Sequence, residues 1–528
     1  MTRKNVRRTK FISPPWIPVW VFGLFFSLYT LSMGGHGYGG VGTTTYDVTR
    51  SMLINHSFAI QKVPWGKAGR DGQFYAQYGI GHSLYNLPFY LLGHWTAASF
   101  PQLAAHYDRI TMLTTLLGQP FITALTCVLL YLFCRKLGYT YNTSIWCTLF
   151  YGLGTQAWMY AQLDFSEPIL TFWLLGSVYW LIIPQSHPQK LRLPSSCHLV
   201  LSGLFLGAAI TVKIVAILVL PVLLGYLWLT FPRKINTTWK AFTWFLIPVI
   251  GIGGGIVGWY NFIRFGSPFE TGYSNEFTRY IPDILRHFTD NLFGLEGSIF
   301  FYSPVIILAF AGIIRFYQQF TTTTFLLSGI MLTFFGFYPF TTNELYYGPR
   351  YLTPILPFFL IIAGAAQTTY SKQAKRIALF CLIMGIGQQL IGVVVNYHSY
   401  YWRIQYTLAF ANAPDFTSEM ETLLRSTPRL PHILGHLWLI THAVLDAFRP
   451  GGIPFSGIEL LADTTRQNAW LPYYGLDLWW YHPKLIALTG IVLPAGIVVS
   501  MAGIIVFSSY RLFRISSADI PEVLSKER

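Results

Sequence analysis

Apolar residues in this chain come in long blocks, and polar residues gather in the gaps between them. A helix that crosses a bilayer needs about 20 mostly apolar residues. By that measure the pattern predicts twelve spans, near residues 16–34, 113–134, 142–160, 168–184, 198–213, 214–231, 241–259, 298–315, 322–340, 351–368, 377–395 and 485–509. Two further apolar stretches are read as surface helices. Residues 83–99 would reverse every later loop if they crossed, so they are read as interfacial or re-entrant. Residues 434–448 are short and hold two histidines and an aspartate, which suits an amphipathic helix lying on the membrane. The expected fold class is an all-α polytopic membrane protein with about 12 transmembrane helices (11–13).

Charge then gives these spans a direction. With this threading, 18 of the 21 Asp and Glu fall on one side. The other side receives 20 Lys and Arg and only three acids, all in the last ten residues. That is the positive-inside pattern, so both termini are expected in the cytoplasm and the acid-rich loops outside it. The net charge of +15 therefore belongs to short inner loops rather than to a nucleic-acid surface. Only 11% of residues are charged, far below the roughly 25% of soluble domains. Cys127, Cys134, Cys147, Cys197 and Cys381 fall in spans or at inner edges, so no disulfide framework is implied. Arg3, Lys4, Arg7, Arg8 and Lys10 precede an apolar run from Trp16 with no small-x-small cleavage site after it. That reads as a retained signal anchor in the cell (inner) membrane. Three regions result: a transmembrane module over 1–395 with a first outer loop at 35–112, an outer helical loop or cap at 396–484, and a last span with its tail at 485–528.

Candidate chemistry lies in three outer constellations. In the first loop, Asp47, Arg50 and Ser51 share one face of an expected helix. Asp47 is either a general base for a hydroxyl or half of a surface pair with Arg50. Asp71-Gly72 reads first as a turn. The second constellation is Asp164-Phe165-Ser166-Glu167-Pro168. Proline in the first turn with acids beside it marks a helix N-terminus. Two carboxylates on one outer pocket also suit an acceptor, or Mg²⁺ or Mn²⁺, and nothing in the pattern requires a metal. The third runs Asn343-Glu344-Leu345-Tyr346-Tyr347-Gly348-Pro349-Arg350-Tyr351. Arginine among tyrosines at a membrane surface either anchors the interface or clamps a phosphate with its forked donors. Lys213 ends an apolar run, where an ammonium is costly. It either snorkels or reaches a lipid phosphate, and Lys67 and Arg70 are weaker instances of the same argument. The glycine run from Gly251 to Gly258 lies inside a span and reads as helix packing rather than a nucleotide loop.

The order of motifs resembles a known family. After one span comes an outer loop with an acid, then Tyr78-Gly79, Gly81, Ser83-Leu84, Pro88-Phe89-Tyr90 and Leu92-Gly93. Phe165-Ser166-Glu167-Pro168, Phe301-Tyr302-Ser303-Pro304 and Gly348-Pro349-Arg350-Tyr351-Leu352-Thr353-Pro354 follow. Over roughly residues 15–400 this resembles the GT-C glycosyltransferases that use polyprenyl-phosphate sugars, and within them the protein mannosyltransferase and aminoarabinose transferase branch. The resemblance implies an inverting transfer on the outer side, from a polyprenyl-phosphate-linked sugar to an acceptor hydroxyl. A first-loop carboxylate would take the acceptor proton, and basic residues would hold the departing lipid phosphate. On that footing Asp47 is the expected base, with Glu167 or Asp164 as alternative. Arg350, Lys213 and Lys67 or Arg70 would contact the phosphate, and Tyr346 and Tyr347 would support it or stack on sugar. Arg50 and Glu344 complete the candidate substrate-binding set. The family's first-loop acid usually follows a glycine directly, whereas Gly42 here is followed by Thr43-Thr44-Thr45-Tyr46 before Asp47. A transporter or flippase of a lipid-linked glycan is the runner-up, although no repeat or midplane charge supports it. A catalytically silent assembly protein is the third reading.

Overall fold

The computed structural model describes residues 16–38, 40–63, 66–182, 194–231, 235–273, 288–289, 292–294, 297–338, 347–366, 371–396, 431–447, 477–481, 490 and 492–518. Among the described residues the fold is helical apart from one small sheet, as the apolar blocks predict. The helices are α1 (Ile17–Ser32), α2 (Val41–Ile54), α3 (Ile80–Ser99), α4 (Pro101–Ala104), α5 (Tyr107–Leu116), α6 (Gly118–Lys136) and α7 (Tyr141–Gly154). Then come α8 (Ala157–Tyr160), α9 (Glu167–Leu181), α10 (Ser196–Val212), α11 (Leu220–Thr230), α12 (Ile235–Pro248) and α13 (Val257–Phe265). The rest are α14 (Ile299–Tyr302), α15 (Leu308–Gln319), α16 (Thr321–Phe337), α17 (Leu356–Gly364), α18 (Lys372–Val394), α19 (His432–Ala447) and α20 (Val492–Ala518). Four stretches are long and apolar enough to cross a membrane: Tyr107–Lys136, Asn236–Phe265, Lys372–Val394 and Val492–Ile515. Seven shorter apolar helices accompany them among the described residues.

Many threonines inside these helices bond their hydroxyls to the helix's own backbone, which an apolar setting favours. Thr123 donates to Gln119 O (2.9 Å), Thr126 to Ile122 O (2.8 Å) and Thr148 to Ser144 O (2.8 Å). This bonding back one turn is what lets hydroxyl residues sit in membrane helices. The expected pair of spans at 198–213 and 214–231 emerges as α10 and α11, joined through a short 3-10 turn over Ile214–Val219. Lys213 is the break itself, with extended backbone (φ −147°, ψ 117°). The glycine run forms a wide π-helical stretch over Val249–Ile256, just after Pro248. Gly253 there faces Gly207 and Ile210 of α10, which is the helix packing expected of it.

One feature of the first loop is absent from the sequence pattern. After α2 the chain makes a three-stranded antiparallel sheet, in order β1-β3-β2, from β1 (Ala59–Ile60), β2 (Gly66–Ala68) and β3 (Phe74–Ala76). Ala59 pairs with Tyr75, and Lys67 also pairs with Tyr75 from the other side. Strands of two and three residues are too short to show an alternating pattern. Arg264, at the end of α13, fastens this sheet. It is buried, donates to Ala76 O and to Asn261 Oδ1 (2.6 Å), and its carbonyl accepts the Arg70 N–H (3.1 Å).

Close backbone approach holds the helical core. A Cβ on Gly385 of α18 would lie 2.4 Å from Gly154 O and 2.8 Å from Gly154 Cα of α7. Backbone atoms yield poorly, so Gly385→Val is expected to cost about 1–3 kcal/mol, as overpacking does. Thermal unfolding in detergent reads this, and an unchanged midpoint would show that the two helices are not held in this contact.

Candidate active site

The site begins with a proline and a helix break. Pro168 in the first turn of α9 sets the start of that helix and leaves Glu167 at its N-terminus. The break after α10 brings Lys213 to the same place. Its Nζ lies 2.5 Å from Glu167 Oε1. Gly348, with φ +75°, turns the chain into a 3-10 segment, Arg350–Ile355, whose first residue is Arg350. Only glycine suits that turn, because its φ is left-handed and a Cβ would meet the Tyr302 ring at 2.7 Å. Arg350 Nε lies 3.2 Å from the same Glu167 Oε1. Two cations from two distant segments thus share one carboxylate oxygen. Glu167 is 1% exposed and Arg350 3%, whereas the Lys213 side chain keeps 19% of its surface. Aromatic faces complete the setting. Lys213 Nζ lies 4.2 Å from the Tyr351 ring, and Arg350 Cζ lies 4.5 Å from the rings of both Phe165 and Tyr351.

Three residues earlier, Asp164 is also buried. Its carboxylate occupies the space that a side chain at position 42 would need, because a Cβ on Gly42 would lie 1.8 Å from Asp164 Oδ2. Oδ2 accepts the Tyr38 N–H at 3.3 Å, and Oδ1 has no hydrogen-bond partner among the described residues. Burial raises its pKa to about 7, against the Tyr38 N–H and the charge of His36, which both lower it. Asp164 lines a small, partly open cleft together with Gly42, Tyr46, His82, Asn86 and Gln119. His82 Nε2 stands 3.3 Å from Gln119 Nε2, and His82 Nδ1 has no hydrogen-bond partner among the described residues. Burial pushes the His82 pKa down to about 4, so its ring is neutral near pH 7.

The other sequence candidates are placed as follows. Asp47 is half-buried on α2, with its pKa raised to about 6 by burial, lowered by Arg50 and raised by Asp108. The surface pair read for Arg50 with Asp47 goes instead to Asp108 of α5, at 3.3 Å. Lys67 lies in β2, and Arg70 in the following turn, where its guanidinium sits 5.1 Å from the Phe262 ring. Asp71 closes that turn by accepting from Gln73 N (3.1 Å) and Tyr75 OH (2.8 Å), the turn role expected of it. Tyr347 is fully buried. Its OH donates to Gln388 O (2.5 Å), its carbonyl accepts from Tyr160 OH (3.1 Å), and its ring packs on Tyr302. Glu344 and Tyr346 lie outside the described residues, as does most of the 396–484 segment.

Several members of the site are not among the sequence candidates, His36, His82, Gln119 and Asp477 among them. The clearest signal for the first is its place in the Gly34-Gly35-His36-Gly37 run. Asp477 gives almost none, since it lies more than 400 residues from its partners. Among the described residues no three His, Cys, Asp or Glu side chains gather as a metal ion would need. Glu167, the carboxylate expected to serve a cation, already faces an ammonium and a guanidinium.

Comparison with known proteins adds a family match. No curated protein matches the chain. Two solved structures of ArnT from Cupriavidus metallidurans are similar to it, one bound to undecaprenyl phosphate and one in the apo state. Their TM-scores are 0.48 and 0.49, each at 14% identity, over 96% and 95% of this chain and 78% and 77% of theirs. Residues 71–252, which include α3, Asp164, Glu167 and Lys213, match the family model described as dolichyl-phosphate-mannose-protein mannosyltransferase, and this match accords with the resemblance to polyprenyl-phosphate-dependent GT-C transferases read from the sequence.

Proposed function

We propose that this chain is a multi-pass membrane glycosyltransferase that moves a sugar from a polyprenyl-phosphate carrier to an acceptor hydroxyl, with inversion, on the extracytoplasmic side. The observation that carries this reading is the convergence of Lys213 and Arg350 on one oxygen of buried Glu167. Glu167 pre-orients both cations, and two cations on a single carboxylate oxygen gain by meeting a second anion. A sugar phosphate supplies one whose charge grows as the carbon–oxygen bond breaks. Donors already fixed where charge develops stabilise the transition state more than the ground state. Lys213 is the member that keeps exposed surface, so it would make the first contact. The family match over 71–252 supports a polyprenyl-phosphate donor.

In this reading Asp164 is the base. It lines the cleft, one of its oxygens has no partner among the described residues, and its pKa near 7 is poised for proton transfer. Asp47 directly follows the cleft residue Tyr46 on α2 and is the alternative. The acceptor oxygen would lose its proton to the carboxylate as it attacks the anomeric carbon, and the lipid phosphate would leave toward Lys213 and Arg350. The positive-inside count supports an extracytoplasmic position for this end of the bundle. No nucleotide sugar is expected there, and a lipid-carried donor brings its own activation.

The test is transfer from a panel of radiolabelled polyprenyl-phosphate sugars by purified protein, beside Lys213→Met. Turnover with at least one donor is expected, and the variant should lose about 10²- to 10³-fold in kcat, the effect of removing one charge-stabilising donor. Absence of turnover with every donor, from protein that still binds undecaprenyl phosphate, would move the assignment to transport or a silent binding role.

A further inference from the structure

A strap from the far end of the chain reaches this site. Asp477 is buried, and both of its oxygens are bonded to the segment that follows α1. Oδ1 lies 2.8 Å from His36 Nε2, and Oδ2 accepts from Tyr38 OH at 2.8 Å. The strap is fastened on each side of that contact. Asp477 N donates to Val394 O at the end of α18 (2.7 Å), and Trp479 N donates to Met33 O (3.0 Å). The indoles of Trp479 and Trp480 donate to Thr30 O (2.7 Å) and Leu31 O (2.8 Å) at the end of α1. Glycine makes room for it. A Cβ on Gly34 would meet Asp477 Oδ1 at 2.4 Å, and one on Gly35 would meet Trp479 Cβ at 2.6 Å. Apart from the bond to Val394, these bonds join residues more than 430 positions apart.

The segment held in this way is also the one that holds Asp164. Tyr38 gives Asp164 its backbone N–H, and the His36 ring is close enough for its charge to act on Asp164. We propose that Asp477 and His36 are positioning residues for Asp164: the Asp477 carboxylate holds the His36 ring and the Tyr38 hydroxyl, and these two residues set the orientation and proton affinity of the carboxylate that lines the cleft. The proposal rests on the reading of Asp164 as the base. A His held by a buried carboxylate is the arrangement that stabilises an imidazolium. Burial alone would lower the His36 pKa, but the charge and hydrogen bond of Asp477 outweigh it, with Asp164 adding, and the net shift is upward. Among the described residues the groups that face this network are as follows. His36 meets Asp477 and Asp164, Asp477 meets His36, Tyr38 and the more distant His436 of α19, and Asp164 shares its cleft with Tyr46 and His82.

The test is the titration of Asp164 itself, followed by infrared difference spectroscopy with Asp164→Asn as the blank. The parent midpoint is expected near pH 7, where burial puts the Asp164 carboxyl. In Asp477→Asn the imidazolium loses its counter-charge, and in His36→Gln the cation is gone. Both variants should therefore move the Asp164 midpoint upward, and kcat near neutral pH should fall about 10- to 100-fold, as when an orienting partner is removed. The donor KM should stay unchanged. Trp480→Phe removes one strap anchor but neither charge, so it should lower thermal stability and leave the midpoint in place. An unmoved midpoint in both Asp477→Asn and His36→Gln would overturn the proposal and leave the strap a purely structural role. If the parent transfers no sugar, the functional reading fails, while the infrared midpoints still decide the coupling.

Discussion

Asp164→Asn is expected to lower transfer about 10²- to 10⁴-fold, the range attributed to a positioned general acid or base, while protein yield and donor binding stay as in the parent. The pH dependence follows from the same group. Burial raises the Asp164 pKa from 3.8 to about 7, so its basic form dominates only above neutrality. Parent kcat should therefore climb through pH 7 and level off beyond it. Stability runs the other way. A raised folded-state pKa means that the native protein keeps a proton which the unfolded chain releases near pH 4. The stabilisation is complete below about pH 4 and is lost as pH rises through 7. Asparagine carries no charge, so Asp164→Asn should melt higher than the parent above pH 7 while turning over far more slowly. Parent-like turnover in this variant would transfer the base role to Asp47, and Asp47→Asn would then show the loss. A lower melting point above pH 7 would mean that the Asp164 charge is compensated in the fold.

The largest expected effect on stability is at Glu167. Glu167→Ala leaves Lys213 and Arg350 facing each other across a buried gap with no carboxylate between them. Removing one partner of a buried pair costs about 3–5 kcal/mol, because the remaining charge is stranded. Lys213 is partly exposed and can turn toward water, which places the expected loss at the lower end, about 3 kcal/mol. Lys213→Met should cost less, since Glu167 keeps Arg350 at 3.2 Å. Combining Glu167→Ala with Lys213→Met should recover part of the loss, as coupled neighbours do. Denaturant unfolding in detergent measures all three. Equal, additive losses would show that the two charges are not coupled, and the pre-orienting role given to Glu167 would fall with them.

The sequence made the frame legible. Apolar blocks of about 20 residues announced the helices, and the pile-up of basic residues in alternate gaps gave the expectation of their direction. Pro168 beside Glu167 announced the start of α9, and the ammonium of Lys213 at the end of an apolar run announced that something had to accept it. Arg350 among tyrosines was visible for the same reason: a cation at the edge of an apolar block is expensive, so its presence signals a use. What the pattern left open was which of the acids and bases meet. Arg50 turned to Asp108 rather than Asp47, because side chains of α2 reach α5, as Tyr46 also does to Thr111, and that neighbour lies 58 positions away in the chain. Asp164, read as one alternative to Asp47, is the carboxylate in the cleft, because Gly42 has no side chain to keep it out.

By itself, then, the sequence determined everything that depends on local cost: where apolar surface must leave water, where a charge cannot remain in lipid without a partner, and where proline or glycine must interrupt a helix. Those terms are set by a residue and its near neighbours, so they survive without coordinates. The tertiary structure alone decided the pairings. Lys213 and Arg350 share one Glu167 oxygen across 137 positions of chain, and Asp477 closes on His36 across 441. Contacts of that kind carry no periodicity, because folding brings their members together through helix breaks and glycine gaps far from either residue.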